Sequence, residues 1–399
     1  MIPFSPPRID DEIIREVTAA LKSGWITTGP RTKEFEKKIA AYCGVKAVIC
    51  LNSATAGLEL MLRWFGVTEG DEVILPAYTY SATANVIIHC GATPVFVDVN
   101  EEDFNISLAA IESAITSRTK VIMPVDFAGL PCDYHEINAL AVKHKHVFHS
   151  RTDAQKALGR IMVLSDAAHS FGATYKGHKT GSLTDASVFS FHAVKNLTTA
   201  EGGAVALNLP APFSNESVYA ELCIKSLHGQ NKDALAKTQV GNWKYDIIEP
   251  GYKCNMTDIT AAIGLVEIKR YDSDTMVKRR KIASWYEVQL KHNPRFILPV
   301  YKTDEKESCY HLYPLRIKDI TEAQRDSIIQ AISKENISVN VHFIPVPMMS
   351  YYKKLGYEMK NYPVAFKNYA CEISLPLFYD LTEQQVIQVC EALQKALEI

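Results

Sequence analysis

Residues 161–207 read IMVLSDAAHSFGATYKGHKTGSLTDASVFSFHAVKNLTTAEGGAVAL, and the three apolar, β-rich runs in this stretch (IMVLSD, ASVFSF and GGAVAL) decide the fold. Four more runs of the same texture precede them: KAVICLNS, EVILPAY, TPVFVDV and TKVIMPVDF. Between most of these lie segments with helical spacing, namely Thr55–Phe65, Ser81–Cys90, Leu108–Ile115 and Tyr134–His144. Strands apolar along their whole length, alternating with helices, predict an α/β fold with a mostly parallel seven-stranded sheet covered on both faces. The alternation breaks at the end. Only about a dozen residues separate Phe191 from Gly203, too few for a helical crossover, so an antiparallel neighbour is expected there.

Beyond Met256 the texture changes. A long helical stretch, TDITAAIGLVEIKRYDSDTMVKRRKIASWYEVQLK, leads into the shorter strands YPLRI and VNVHFI and ends in the amphipathic LTEQQVIQVCEALQKALEI. This predicts a large domain over residues 1–255 and a smaller C-terminal α+β domain over 256–399. The polar stretch His149–Gly159 reads as a surface loop. With 399 residues, 47% hydrophobic and 22% charged, the chain can bury a sizeable core. Lys+Arg 43 against Asp+Glu 45 leaves a net charge of -2, with no basic excess for nucleic acid or anionic lipid. No apolar run is long enough to span a membrane, and the opening MIPFSPPRIDDE lacks a signal-peptide pattern. Nine cysteines without a CxxC pair predict free thiols and a cytoplasmic location.

In open parallel sheets, ligands bind at the carboxyl ends of strands. Read for chemistry, those ends carry Asp166 after IMVLS and Lys195 just beyond SVFSF. An arbitrary Asp/Lys pair is most often an ordinary ion pair, worth little when exposed. The sharper alternative is pyridoxal phosphate (PLP), which is bound covalently by a lysine and whose ring nitrogen is kept protonated by a carboxylate. PLP also needs a phosphate cradle and a ring to stack on it. The backbone N–H groups of Ala54 and Thr55 open a helix after KAVICLNS and suit a phosphate, with Ser190 able to add a hydroxyl. Tyr80 follows EVILPAY with its ring free to cover a flat cofactor. Taken singly, these are an N-cap and a packing tyrosine; in this order on one sheet they point to PLP.

These residues sit in blocks that resemble the fold-type-I, PLP-dependent sugar-nucleotide aminotransferases, which build amino sugars for surface polysaccharides, lipid A and antibiotics. The resemblance runs through GWITTGPRTKEFEKKIAAYCGVKAVICLNSATAGLEL, LPAYTYSATANVI, ATPVFVDV, SDAAHSFGATYKG and GSLTDASVFSFHAVKNLTTAEGGAVAL to PGYKCNMTDITAAIGL, VNVHFIPV and ISLPLF. It implies that Lys195 binds PLP and moves the proton during transamination, that Asp166 pairs with the pyridine nitrogen, and that Tyr80 stacks on the ring. Ala54, Thr55 and Ser190 would hold the phosphate, and His169 would lie near the cofactor's 3-oxygen. Trp25, Thr28 and His342 are implied on the substrate side. The substrates implied are glutamate and a nucleotide-linked keto sugar, in a homodimer with shared active sites.

The chain departs from the family in places. Where the common pattern is Gly-Tyr-Asn-x-Arg, with the Asn reaching the phosphate of the partner subunit, this chain has GYKCN, with Lys253 at the Asn position and Asn255, also implied on the cofactor side, at the Arg position. A lysine serves a phosphate as a point charge. That variant is similar to the branch that aminates UDP-4-keto-pentose in lipid A modification, to give UDP-4-amino-4-deoxy-L-arabinose. Pro347 replaces a family histidine, and the His149–Gly159 loop looks longer than usual. Other chemistries are less well supported. The histidines of HKHVFH (His144, His146, His149) lack supporting carboxylates, so no metal site is expected, and no GxGxxG follows a strand. Glu201 in AEGG either shapes the site or accompanies glycines that allow close packing. A sugar dehydratase, in which histidine replaces the lysine, is opposed by Lys195. A non-catalytic regulator would have little need of the full set of residues.

Overall fold

The computed structural model describes residues 1–232 and 243–398; Ile399, the last residue of the expected C-terminal helix, lies outside them. Seven strands form the central sheet: β1 (Ala47–Leu51), β2 (Glu72–Pro76), β3 (Thr93–Val97), β4 (Thr119–Ile122), β5 (Met162–Asp166), β6 (Ala186–Ser190) and β7 (Gly203–Leu207). Their spatial order is β1-β7-β6-β5-β4-β2-β3. All pairings are parallel except those of β7, which runs antiparallel to both β1 and β6. The short Phe191–Gly203 connection thus produces the expected antiparallel strand.

Alternation along each strand packs both faces of the sheet. Val73 and Leu75 of β2, Ile49 and Leu51 of β1, and Met162 and Leu164 of β5 join the cluster on one face. Ile74 and Val163 join a cluster on the other, as do Val48 and Cys50. Every residue of β1, β2, β4, β5 and β7 is buried, as a sheet covered on both faces requires. Helices α1 (Asp11–Lys22), α2 (Pro30–Cys43), α3 (Ala54–Phe65) and α4 (Ser81–His89) precede or follow the first strands.

The long C-terminal helix is interrupted. Helices Asp258–Arg270 and Met276–Leu290 are joined by a π-helical segment, Tyr271–Thr275. The first packs on α1 and α2, with Gly264 directly against the Phe35 ring. The second contributes Ile282, Tyr286 and Leu290 to a separate core around the sheet β8 (Phe296–Ile297), β9 (Tyr313–Ile317) and β10 (Glu372–Leu375).

Two expectations are corrected. VNVHFI is not a strand. Asn340 makes one isolated bridge to Ser374, after which the His342 N–H is taken by the Glu372 carboxylate and its carbonyl by the Tyr78 hydroxyl, so no ladder can continue. The His149–Gly159 stretch is not simply a loop. It holds the helix Asp153–Leu158, whose first turn is capped by the Thr152 hydroxyl, while the buried Gln155 side chain donates to the Phe65 carbonyl. His144 and His146 sit at the end of helix Tyr134–Lys143 and in the 3-10 turn after it.

Candidate active site

The carboxyl ends of β1, β2, β4, β5 and β6 open on one cavity of about 350 Å³. Its wall takes Ser53, Ala54 and Thr55 from after β1, and Thr79, Tyr80 and Thr83 from after β2. Asp166 and His169 come from the end of β5, and Ser190 and Lys195 from the end of β6. His311, His342 and Phe343 close it from the C-terminal part, and Phe4 and Ser5 from the N-terminal segment.

Asp166 is 5% exposed and accepts hydrogen bonds from the Thr83 hydroxyl (2.8 Å) and the Ala168 N–H (3.2 Å). Burial pushes its carboxyl above the ordinary range, and these two donors together with the Lys195 charge oppose that rise. Burial pushes the Lys195 ammonium down to about 8, against the pull of Asp166. The two groups therefore share one low-dielectric space, which makes each sensitive to the other.

The phosphate end is built by close backbone approach. Ser53 caps α3, its hydroxyl accepting from Ala56 N–H at 3.1 Å, which leaves the N–H groups of Ala54 and Thr55 at the helix start without an intrahelical partner. Gly203, first residue of β7, pairs with both Leu51 and Ser190. A Cβ there would lie 2.4 Å from the Ala54 nitrogen, so only glycine lets β7 run this close to the helix start. Ser190 lines the same space.

The flat part of the cavity is aromatic. Tyr80, just before α4, is 62% exposed, with its ring centroid 5.9 Å from that of Phe343. His169 is buried, its ring 4.4 Å from His311 and 5.6 Å from Phe343. Its Nδ1 is the one buried side-chain nitrogen or oxygen lacking a hydrogen-bond partner among the described residues. Burial and the Lys195 charge hold the His169, His311 and His342 imidazoles below their usual range, His342 at about 3, so the cavity meets three neutral rings. These features fit PLP: an anion cradle at a helix start, a buried acid and a lysine lining the same cavity, and an unpartnered ring nitrogen in the wall.

Four residues expected at the site lie elsewhere in the single chain. The Lys253 ammonium donates to Asn255 Oδ1 at 2.7 Å, Asn255 Nδ2 donates to Thr28 Oγ1 at 2.6 Å, and the Trp25 indole donates to the Thr28 carbonyl at 3.0 Å. Lys253, Asn255, Thr28 and Trp25 thus form one cluster outside the cavity wall. It is held to the end of β1 by the Asn52 N–H on the Cys254 carbonyl. Sequence reading missed Thr83, Gly203, His311 and Phe343. The pair of glycines after Glu201 was a signal for Gly203. Thr83 had none, because it reaches Asp166 from a helix in another crossover.

Residues 7–394 match the DegT/DnrJ/EryC1/StrS aminotransferase family. Among solved structures, Spr1654 of Streptococcus pneumoniae, assigned as a sugar aminotransferase and seen in its PMP form, superposes with a TM-score of 0.96 at 46% identity, covering 100% of this chain and 99% of that one. PseC of Helicobacter pylori, an aminotransferase in pseudoaminic acid biosynthesis, gives a TM-score of 0.87 at 30% identity over 99% of this chain and 98% of that one. The spore coat polysaccharide biosynthesis protein SpsC of Bacillus subtilis is 40% identical over 98% of this chain and 96% of its own length.

Proposed function

The chain belongs to the DegT/DnrJ/EryC1/StrS aminotransferase family, whose members work with PLP, and from that premise we propose that it transfers an amino group from glutamate to the C4 keto carbon of a nucleotide-linked sugar for surface polysaccharide synthesis. The observation that carries this reading is the single cavity in which Lys195 and the buried Asp166 lie between a helix-start phosphate cradle and a wall of neutral histidines. The similarity to SpsC and PseC supports a polysaccharide or amino-sugar product. The C4 position is favoured by the GYKCN variant at residues 251–255, which resembles the 4-keto-pentose branch. The nine cysteines are all free, and no helix among the described residues is long and apolar enough to cross a membrane.

PLP, when bound, supplies an electron sink for the charge left as a proton leaves the amino-bearing carbon. Around it the chain's residues divide the work. Asp166, whose negative charge the Thr83 hydroxyl and the Ala168 N–H favour against its burial, would pair with the protonated ring nitrogen. Lys195, whose ammonium burial brings down to about 8, would hold the cofactor and serve as the group that takes up and returns the proton. Ala54, Thr55 and Ser190 would hold the phosphate, Tyr80 would cover the ring, and the unpartnered His169 Nδ1 would be left to the cofactor. His342 contacts the sugar. Lys253, held by Asn255, would reach the phosphate of a second subunit in a homodimer. The exposed apolar run leading into them, Trp243, Tyr245, Ile247, Ile248 and Tyr252, is of the kind that marks an interface.

The test is to incubate the protein with glutamate and a panel of UDP-, dTDP- and GDP-linked 4-keto and 3-keto sugars, measuring 2-oxoglutarate. Release with a 4-keto sugar supports the assignment. Release only with 3-keto sugars moves the reaction to C3, and no release with any keto sugar overturns the substrate class.

A further inference from the structure

His342 enters the cavity wall from one side and a hydrogen-bonded chain from the other. Its Nδ1 lies 2.9 Å from Ser374 Oγ, and Ser374 Oγ lies 2.5 Å from Glu372 Oε1. The second carboxyl oxygen, Oε2, accepts the backbone N–H of His342 at 3.0 Å. Residues 372 and 374 alternate along β10, so both side chains leave the same face of that strand. The ring stacks on Phe4 (centroids 5.5 Å apart) and its carbonyl is held by the Tyr78 hydroxyl. No hydrogen bond occupies Nε2 among the described residues.

A serine between a carboxyl and an imidazole has one proton to give. With Glu372 ionised, Ser374 donates to the carboxylate, its oxygen accepts from His342 Nδ1–H, and Nε2 is a bare acceptor. With Glu372 protonated, the order reverses. Oε2 is occupied by the His342 N–H, so the carboxyl proton sits on Oε1 and is donated to Ser374. Ser374 then donates to Nδ1, and the hydrogen of the neutral ring moves to Nε2. We propose that Glu372 and Ser374 are positioning residues that set the hydrogen-bonding polarity of His342 toward the substrate, so that one proton on a buried carboxyl decides whether the sugar meets a donor or an acceptor. This rests on the reading of the cavity as a keto-sugar site with His342 on the sugar side.

The surroundings favour the protonated form near neutrality. Glu372 is fully buried, and burial pushes its carboxyl up to about 8 despite donors from Ser374 and the His342 N–H. Two cations lie nearby, Arg325 from helix Glu322–Lys334 and Arg316 from β9, and their charges oppose that rise without cancelling it. Neither forms an ion pair with it. Arg325 donates to the Tyr369 and Glu372 carbonyls, and Arg316 to Asn368 Oδ1. Tyr78 faces the carboxyl from the β2 end. On the cavity side, Lys195 and burial keep the His342 ring neutral, so the ring changes tautomer and not charge. Below about pH 8 the sugar therefore meets an N–H, a donor suited to a keto or hydroxyl oxygen.

The tautomer can be read directly by ¹⁵N-histidine NMR of the PLP-loaded protein without substrate, with His342 assigned by its loss in His342→Gln. The wild type should show Nε2–H at pH 6.5 and Nδ1–H at pH 9.5. Glu372→Gln keeps its carbonyl on the His342 N–H and turns its amide toward Ser374, so it should show Nε2–H at both values. Ser374→Ala should abolish the pH response and Ser374→Thr should keep it. In the amination assay, KM for the keto sugar should rise roughly tenfold from pH 6.5 to 9.5 in the wild type, the net worth of one hydrogen bond, and stay flat in Glu372→Gln. A wild-type tautomer unchanged between the two pH values overturns the relay, as does a pH response that survives in Ser374→Ala should Glu372→Gln fail to fold. A switching tautomer in a protein that aminates no keto sugar leaves the relay standing and overturns the substrate assignment instead.

Discussion

The Thr83 hydroxyl donates to Oδ2 of Asp166 across 2.8 Å, and Thr83 itself meets the Thr79 hydroxyl at 2.8 Å. Two consecutive turns after β2 thereby support the acid at the end of β5, a strand with β4 lying between. That support opposes the burial of the carboxyl. Removing it with Thr83→Val should lower turnover about 10- to 100-fold, since a hydrogen bond to a charged group is worth about 1.5–3 kcal/mol. Thr83→Ser should restore most of it. Asp166→Asn should keep PLP bound and lose more activity than Thr83→Val. Equal turnover in Thr83→Val and wild type would remove the threonine from the site.

Lys195 should capture PLP with an unusual pH dependence. Burial disfavours the ammonium and pushes it down to about 8, so the nucleophilic free amine is present above that pH and lost as pH falls through it. The rate at which the cofactor-free protein takes up PLP should rise through about pH 8 and then level off. A midpoint near the ordinary lysine value of about 10.4 would contradict the buried setting. Lys195→Ala should lose both the visible absorbance of the bound cofactor and all transamination.

Gly203→Ala should weaken PLP binding by about tenfold or more, because its methyl would lie 2.4 Å from the Ala54 nitrogen and must push β7 away from the helix start. Equilibrium dialysis against PLP reads this directly. Ser190→Ala should cost roughly tenfold, the worth of one hydrogen bond to an anion. Unchanged affinity in both would place the phosphate elsewhere.

The Lys253–Asn255–Thr28–Trp25 cluster lies outside the wall of its own cavity, so the proposed role of Lys253 requires a second subunit. Mixing Lys195→Ala with Lys253→Ala chains should restore one intact site per mixed dimer if Lys253 acts across the interface. No recovery on mixing, with both variants folded and dimeric, would show that the lysine acts within its own chain or not at all.

Much of this was legible in the chain before folding. The apolar runs placed the seven strands closely, and YPLRI coincides with β9. The predicted antiparallel neighbour follows from a connection too short for a crossover. Asp166, Lys195, Ser190, Ala54, Thr55 and Tyr80 could be picked out because residues just past strand ends converge in any open parallel sheet, whatever the details of packing, while His169 came only from the family resemblance. VNVHFI misled because its β-rich composition matches a strand, while its backbone N–H and carbonyl go to the Glu372 and Tyr78 side chains, which no local pattern records.

Sequence by itself determined the layered sheet, its reading edge and the residues that edge must present, since burial periodicity and connection length are local quantities. Only the tertiary structure decided which distant groups support them. Thr83 meets Asp166 across 83 residues and His342 meets Ser374 across 32. Gly203 is needed because of the Ala54 nitrogen, about 150 residues earlier in the chain. Such contacts are set by how crossovers and a second, smaller sheet pack against the first, and hydrogen bonding between side chains far apart in sequence leaves no periodic trace in either partner.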